Sequence, residues 1–396
     1  MRQLAFLYGF VLPFTSVFAL SGWVNLPSLI CLLVLVVLMF KGIHRLKRFD
    51  VIVFATFVVP AIFSATANLQ YALDEKFLSH LLSYLFVFLA FYFIPRELLQ
   101  RHAAALLKGV VAGLVFSIIF AFAELTIGLT LRYEALSSIP RFAVNEYDAT
   151  SSGILRVRSL VEESGHYALY LGIIAPIALL FMADRLPMVF SRSLIVAVCF
   201  TMILTFSTSG IVFLIISAVV ASLVTRAPIA KKFTRMAGLA VSVLLVYFAV
   251  LILFNIDLTD IVTDKIYDLN GRLGRFDESL AYFQNAGILQ LFFGLGPGYY
   301  AYRGLESVIS LAALTLFQNG LIGFTLYIVL FMAGLKQIAA FNKNQKPFLV
   351  FSLLFAFLVY GGISNYWYPW FWFLLSVLSV GPFAFTSSSV QPLPRS

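Results

Sequence analysis

Apolar segments follow one another along almost the whole chain, separated mostly by short polar connections. Many of them reach the ~20 residues that a helix needs to cross the hydrocarbon core of a bilayer. Continuous runs such as 173–182 and 353–360 do not fit the ~10-residue alternating segments of a membrane β-strand. The pattern therefore predicts an all-α, polytopic membrane protein with about 12 transmembrane helices, at approximately 5–20, 24–40, 50–67, 78–94, 104–125, 166–183, 191–206, 209–225, 236–254, 311–334, 347–362 and 367–384.

Two connections are much longer than the others, 126–165 and 255–310. Long connections in membrane and soluble proteins are usually functional or disordered, and these two carry enough apolar and aromatic residues to be ordered. They divide the chain into the regions 1–125, 126–165, 166–254, 255–310 and 311–396. Most of the 27 Lys and Arg residues fall on the other side of the membrane, which predicts cytoplasmic termini and outward-facing long loops.

Composition agrees with a membrane protein: 61% of the residues are hydrophobic and 11% are charged, against about a quarter charged in soluble domains. The net charge of +9 is explained by positive loops on the cytoplasmic side, and no nucleic-acid-binding signature is present. Cys31 and Cys199 lie in apolar runs, as packing residues do. The segment around Val17–Ala19 resembles a signal-peptide cleavage site, but we expect an uncleaved first helix.

The second long loop begins with Leu258, Ile261, Val262, Ile266 and Leu269 at helical spacing, and the aspartates of this stretch fall on another face. This pattern predicts an amphipathic helix on the membrane or on the bundle. Farther along, Gly-Leu-Gly-Pro-Gly at 294–298 predicts a tight turn that returns the chain toward the bilayer. Close approach of its backbone to a phosphate is the alternative.

The first cluster of candidate chemistry contains Arg156, Arg158, Glu162, Glu163 and His166, where the first long loop enters a helix that Ser164 or Gly165 could cap. The planar fork of arginine suits phosphate, and a glutamate could act as a general base toward a hydroxyl. The alternative is an interfacial cluster that anchors the helix through Arg–Glu pairs.

The second cluster contains Arg272, Arg275 and Arg303. Arg272 and Arg275 would share one helix face, and together the three could bracket a diphosphate, although simple loop charge is the alternative. The polar stretch Thr205-Phe-Ser-Thr-Ser-Gly210 predicts a short turn between helices, and Glu124 is expected to reach the membrane interface. No metal-ligand spacing such as His-Glu-x-x-His is present, so no metal site is predicted.

Four stretches resemble the O-antigen polymerase and ligase superfamily of bacterial envelope polysaccharide synthesis. The run from Arg156 through Glu163-Ser-Gly-His166 is similar to an arginine followed by a Glu-Pro-Ser-His-Phe-Ala type motif. The stretch 206–211 resembles a Ser-rich helix entry. The segment from Arg272 to Gly298 is similar to an arginine loop that closes in a Phe-Gly-x-Gly turn, and 318–323 resembles the start of the next helix.

The resemblance implies a GT-C-like membrane fold in the bacterial inner membrane, acting in the periplasm on an undecaprenyl-diphosphate-linked glycan. By resemblance, Arg156 or Arg158 and Arg272 or Arg275, with Arg303, would hold the donor diphosphate. Glu163 and His166 would orient or deprotonate the acceptor hydroxyl. No cofactor is implied, and a chain-length regulator (copolymerase) and a flippase are possible partners beside the lipid bilayer.

The sequence departs from the family pattern at Ser164, where the family has proline, and at Ile309, where ligases of the family carry a histidine. The second departure favours a repeat-unit polymerase over a ligase that transfers polymer to lipid A-core. A polysaccharide flippase with about twelve helices is the alternative from another class. A flippase should carry charges within its helices, where this sequence shows almost none, and a non-catalytic copolymerase or sensor should tolerate loss of the arginines.

Overall fold

The computed structural model describes residues 1–20, 24–71, 74–130, 136, 138–141, 156–183, 185–224, 248–249, 252 and 258–385, with the backbone alone for 258–270. Most of the predicted helix 236–254 and half of the first long loop therefore lie outside the described residues. The described helices are α1 (Arg2–Val11), α2 (Leu26–Lys41), α3 (Arg48–Ala67), α4 (Glu75–Val87), α5 (Ile94–Leu129), α6 (Ser164–Met182), α7 (Met188–Leu204), α8 (Thr208–Leu223), α9 (Leu258–Gln284), α10 (Ile288–Phe293), α11 (Tyr299–Arg303), α12 (Leu311–Ile338), α13 (Lys346–Ile363) and α14 (Pro369–Val380).

Within the described residues the protein is helical, apart from a single isolated bridge between Val17 and Arg141. Five continuous helical segments are long and apolar enough to cross a bilayer, namely α3, the stretch from α4 through α5, α6, α12 and α13. The apolar helices α2, α7, α8 and α14 are shorter. These features are those of a membrane-embedded protein, whereas the count of twelve spans and the GT-C-like arrangement stay predictions.

The first predicted helix, 5–20, is wrong in its second half, because α1 ends at Val11. Pro13 follows at once, and proline both lacks an N–H donor and restricts the residue before it. The chain then runs in a non-helical segment whose amides find partners elsewhere: Ser16 N–H donates to the Leu160 carbonyl at 3.3 Å, and Phe18 N–H donates to the Pro140 carbonyl at 3.0 Å. The segment after α1 thus rests on the end of the first long loop.

The predicted connection between helices 78–94 and 104–125 is also helical. The chain passes from α4 through a π-helical stretch at Phe88–Phe93 into α5, and the break falls at His102, whose φ of −144° and ψ of 41° are not helical. π-helical turns appear mostly as single insertions, often at functional positions. Because the helix continues through residues 95–103 and bends only at His102, this polar stretch is not the predicted loop.

Glycines bring α1 and α5 together side by side. A Cβ on Gly109 would collide with the Phe6 carbonyl oxygen, and a Cβ on Gly113 would collide with the Phe10 carbonyl oxygen. Residues four apart in one helix meet residues four apart in the other in the same order, so the two helices run parallel. Small residues at this spacing allow the close backbone approach that drives helix association in membranes.

α6 and α14 occupy the centre of the bundle, with buried side chains on nearly every face, as expected of helices that are apolar all round. Polar groups collect at the two ends. One end holds Asp50, Arg96 and Ser379, and the other holds Glu124, His166 and the glycine turn at 294–298. The predicted cytoplasmic and periplasmic residues thus lie at opposite ends, while the compartment that each end faces stays a prediction.

Candidate functional site

Glu124, near the end of α5, organises the last part of the first long loop. Its side chain is almost completely buried. One carboxylate oxygen accepts the backbone N–H groups of Arg158 at 3.0 Å and Ser159 at 2.7 Å, and the other pairs with Arg141 at 3.3 Å. Because an unpaired buried carboxylate is costly, these three donors tie the loop to α5. The expectation that Glu124 simply reaches the interface is wrong.

Ser159 completes the turn that Glu124 holds. Its φ of 53° lies in the left-handed region, which is uncommon for a residue other than glycine. Its hydroxyl donates to the Ser117 carbonyl at 2.7 Å, and its own carbonyl accepts from Arg141 at 2.6 Å. Such backbone conformations persist where the surroundings over-determine them. The turn therefore delivers the chain into α6 with a fixed geometry.

The prediction that Ser164 or Gly165 caps this helix is wrong, because α6 begins at Ser164 and its N-cap is Glu163. The Glu163 side chain makes no capping hydrogen bond. Its carboxylate lies 3.7 Å from Nδ1 of His166 and is 60% exposed. A carboxylate that neither caps the helix nor is buried can reach a ligand outside the protein.

His166 is held by Tyr368, which the sequence reasoning missed, and by Glu162, which it counted in the first cluster without a role of its own. The Tyr368 hydroxyl donates to the Glu162 carboxylate at 2.7 Å and lies 2.9 Å from Nδ1 of His166. Burial, and after it the charge of Glu162, raises the pKa of Tyr368 well above its usual range, so the hydroxyl keeps its proton. Because the hydroxyl hydrogen already points to the Glu162 carboxylate, the tyrosine oxygen can only accept a hydrogen bond from His166. Nδ1 of His166 therefore carries the ring hydrogen and donates it to that oxygen. In the neutral ring Nε2 is then the basic nitrogen.

No sequence spacing pointed to Tyr368, which follows α13 and lies 202 residues from His166. Its ring stacks on Trp370 at 5.2 Å between centroids and packs on the imidazole at 4.1 Å. The aromatic run Tyr366-Trp-Tyr-Pro-Trp370 was a signal in itself, since tyrosine and tryptophan are enriched at membrane interfaces. Glu162 stood beside Glu163 in the quoted motif but was given no role.

The second long loop acts on this site through charge. The positive charge of Arg272, in α9, acts on the His166 ring together with the negative charges of Glu163 and Glu162. Arg158, which is almost completely buried, donates from its guanidinium to the Glu162 carbonyl at 3.3 Å. Of the predicted arginines, Arg158 therefore contacts the stretch that holds the histidine, and Arg272 acts on the histidine electrostatically.

The remaining predicted arginines have other surroundings. Arg275 pairs with Glu306 at 2.5 Å, on a half-exposed surface. Arg303 donates to the Tyr71 hydroxyl at 2.8 Å and lies over the rings of Tyr71 and Tyr282. Arg156 is half-buried at the start of the described part of its loop. Glu306 was not singled out from the sequence, although it neutralises one arginine of the proposed clamp.

The glycine turn approaches protein backbone. Gly294 has a φ of 87°, and a Cβ there would collide with the Gln318 carbonyl. Leu295 N–H donates to the Phe317 carbonyl at 2.8 Å, and Gly296 N–H donates to the Gln318 carbonyl at 3.2 Å. α12 is itself interrupted here at Gly320. The tight turn is thus confirmed and is locked to the kink of α12, while its return toward the bilayer stays a prediction.

Charged residues also lie within helices at the opposite end of the bundle, so the prediction that charges within the helices are almost absent is wrong. Arg96 pairs with Asp50 at 2.9 Å and with Glu97, and all three side chains are completely buried. Glu97 also lies 2.8 Å from Nδ1 of His44. Partners of opposite sign compensate these charges, as buried charges require. The buried charges of Asp50, Arg96 and Glu97 are thus all paired within the protein.

Among the described residues no three His, Cys, Asp or Glu side chains converge to hold a metal ion. The turn at Thr205–Gly210 joins α7 to α8 as predicted, with Ser207 capping α8 by accepting the Gly210 N–H at 3.2 Å.

Comparison of the chain with models of known families, with curated proteins and with solved structures found no match. The class that fold and site define is therefore a helical membrane protein with a histidine, carboxylate and arginine site at one end of its bundle.

Proposed function

We propose that this protein is a membrane glycosyltransferase that polymerises oligosaccharide repeat units carried on a lipid diphosphate, undecaprenyl diphosphate by resemblance. The observation that carries the proposal is the position of His166 in the first turn of α6, where the first long loop enters the bundle. A basic histidine nitrogen oriented by Tyr368 and Glu162 lies in the field of Arg272. A base beside a cation is the pair that glycosyl transfer from a diphosphate needs.

In the reaction, Nε2 of His166 accepts the proton of the acceptor sugar hydroxyl as its oxygen bonds to the anomeric carbon of the donor. The bond between that carbon and the phosphate oxygen breaks, and the lipid diphosphate leaves with the electron pair. Glu162 and Tyr368 stabilise the imidazolium that forms, since a carboxylate behind a histidine holds its tautomer and its charge. The proton then passes to water.

Arg272 faces the charge that develops on the leaving diphosphate, where preorganised cations contribute most to catalysis. Arg158 and Arg156 lie on the loop that enters α6 and would bind the same group. Glu163, exposed beside the ring, would accept a hydrogen bond from the acceptor sugar and orient its hydroxyl. Arg275 would join the clamp when a diphosphate displaces Glu306, because both are anionic oxygen ligands of one guanidinium.

On this proposal the site end faces the periplasm of a bacterial inner membrane and both termini are cytoplasmic. The substrate enters from the bilayer, and a chain-length regulator and a flippase would act with the enzyme. The nearer alternative, an O-antigen ligase, would use the same donor with a lipid A-core acceptor. The two activities differ in the acceptor alone and are separated by their products.

The decisive experiment is a gel of lipid-linked and surface glycans from a deletion strain complemented with the intact gene, with His166→Ala or with Arg272→Ala. We expect a polymer ladder from the intact gene alone, and a band of core plus one repeat from the two variants. Arg192→Ala, an exposed arginine at the start of α7, is the control and should restore the ladder.

Loss of all core-attached bands, with long polymer still on the carrier lipid, would indicate that the protein is a ligase and not a polymerase. A normal ladder from His166→Ala protein present at normal level would refute glycosyl transfer at this site. Reconstitution of purified protein with a synthetic lipid-diphosphate repeat unit then tests the transfer itself, since elongated product must appear without any other protein.

A further inference from the structure

The opposite end of the bundle carries a basic cavity that takes no part in the proposed reaction. The cavity encloses about 890 Å³ between the start of α1 and the stretch of α5 that follows the bend at His102. This volume lies in the range of small-molecule and cofactor sites. Its lining consists of Arg2, Gln3, Phe6, Leu7, Arg101, His102, Ala104, Ala105 and Lys108.

The charge of this cavity is strongly one-sided. The positive charges of Lys41, Arg101 and Arg2 all act on the His102 ring. Arg101 lies 3.6 Å from Glu97 and donates to the Gly42 carbonyl at 2.7 Å, so the excess positive charge of the lining comes from Arg2 and Lys108. Several cations around a concave site attract a multivalent or phosphate-bearing anion.

The apolar part of the lining shows which kind of anion fits. Phe6 and Leu7 are 42% and 38% exposed, and they continue from the cations along α1, toward the part of the helix that packs on α5. A ligand with a phosphate head and hydrocarbon tails would place its head among Arg2, Arg101 and Lys108 and its tails along these side chains. Basic pockets between membrane helices on the cytoplasmic side bind anionic headgroups in this manner.

We propose that this cavity binds the headgroup of an anionic glycerophospholipid and thereby holds α1 against α5. The site is separate from the His166 site, because it lies at the other end of the same helices. A phosphate ester is the shared chemistry of a lipid headgroup and a soluble phosphate, and the proposal commits to the lipid because of the apolar wall. Binding of the headgroup would stabilise the bend at His102, because the positively charged side chains around this bend otherwise repel one another.

The test uses the full chain, purified in a neutral detergent, and measures thermal unfolding and native mass spectra with added lipid. We expect phosphatidylglycerol to raise the unfolding temperature and to remain bound, and phosphatidylcholine to do neither. The double variant Arg2→Gln, Lys108→Gln should bind phosphatidylglycerol roughly 30-fold more weakly, as expected from the loss of two cations near a headgroup.

Two further variants complete the test. Ala104→Trp fills the cavity without changing its charge and should cause a similar loss. The control Lys336→Gln, Lys343→Gln removes two exposed cations on and after α12 that do not line the cavity and should bind as the native chain does. Equal protection by phosphatidylcholine, equal protection by millimolar inorganic phosphate, or equal binding by the double variant and the control would each overturn the proposal.

Discussion

Tyr368 and His166, 202 residues apart in the chain, place a hydroxyl oxygen and an imidazole Nδ1 within 2.9 Å of each other. The contact joins the start of a central helix, α6, to the start of another, α14. Since Tyr368 also donates to Glu162 at 2.7 Å, the ring is fixed by a chain of hydrogen bonds rather than by one. Fixing a ring in this way is what separates a positioned base from a merely buried histidine.

Tyr368→Phe tests this chain of hydrogen bonds. The variant keeps the ring stacking on Trp370 and removes only the hydroxyl, so the fold should be retained while transfer falls about 10- to 100-fold, because the base itself remains and general-base catalysis contributes about 10²- to 10⁴-fold in all. The measurement is the rate of polymer formation by purified protein on a synthetic lipid-diphosphate repeat unit. Tyr327→Phe is the matched control, because its hydroxyl bonds the Phe357 carbonyl away from the site, and it should retain the native rate.

Arg275 and Glu306 provide a second test, because their ion pair opposes binding of a diphosphate. Arg275→Ala should reduce polymer formation by at least about tenfold, and Arg275→Lys should restore little of it, since a lysine ammonium lacks the bidentate fork. Glu306→Gln should instead lower the KM for the donor lipid, because it releases the guanidinium. Titration of the donor lipid with each of the three variants measures these rates and KM values. An unchanged KM in Glu306→Gln would show that Arg275 does not bind the diphosphate.

Glu124 is predicted to matter for folding first and for activity through the loop that it holds. Glu124→Ala leaves the Arg158 and Ser159 amides and the Arg141 guanidinium without their buried acceptor, which should cost about 3 kcal/mol of unfolding free energy. Denaturant titration of the detergent-solubilised protein measures the loss. Glu75→Ala is the control, since that glutamate is exposed in the first turn of α4 and should cost less than about 1 kcal/mol.

Hydrophobic periodicity predicted the helices well where the apolar pattern was uninterrupted. The predicted helix 347–362 lies within α13, Lys346–Ile363. The periodicity failed where a single residue sets the end or the direction of a helix. Pro13 ends α1 early, and His102 bends a helix where a polar stretch suggested a loop. A hydropathy pattern reports how much surface is apolar, whereas a bend or a stop depends on a local backbone preference that the pattern does not contain.

The candidate site could be predicted only in part, for a related reason. His166, Glu163 and Arg158 stand close together in the sequence, and their density in so apolar a chain drew attention to them. Tyr368 and Glu306 could not be found in this way, because their roles arise from contacts between distant segments. Glu124 was discounted as an interface residue, although an acid inside a membrane helix is a functional or structural site by default.

The glycine turn offers a stability test with an internal control. Gly294→Ala must adopt a φ of 87° and would drive its Cβ into the Gln318 carbonyl, so we expect a loss of at least about 3 kcal/mol, if the protein folds at all. Gly304→Ala has a similar φ of 72° with nothing within 4 Å of the new Cβ and should cost only about 1–2 kcal/mol. Unfolding temperatures of the two variants measure the difference, and equal losses would show that strain alone sets the cost.

The orientation in the membrane is tested by single cysteines at the two ends of the bundle. Cys31 and Cys199 are first replaced by alanine, and then Glu163→Cys or Lys343→Cys is added, both positions being exposed. The excess of Lys and Arg on the Lys343 side predicts that this end is cytoplasmic. An impermeant maleimide should therefore label position 163 in cells whose outer membrane alone is permeabilised, and position 343 only after lysis. The reverse labelling pattern would show that the orientation in the membrane is inverted. The His166 site would then face the cytoplasm, which would rule out glycosyl transfer in the periplasm.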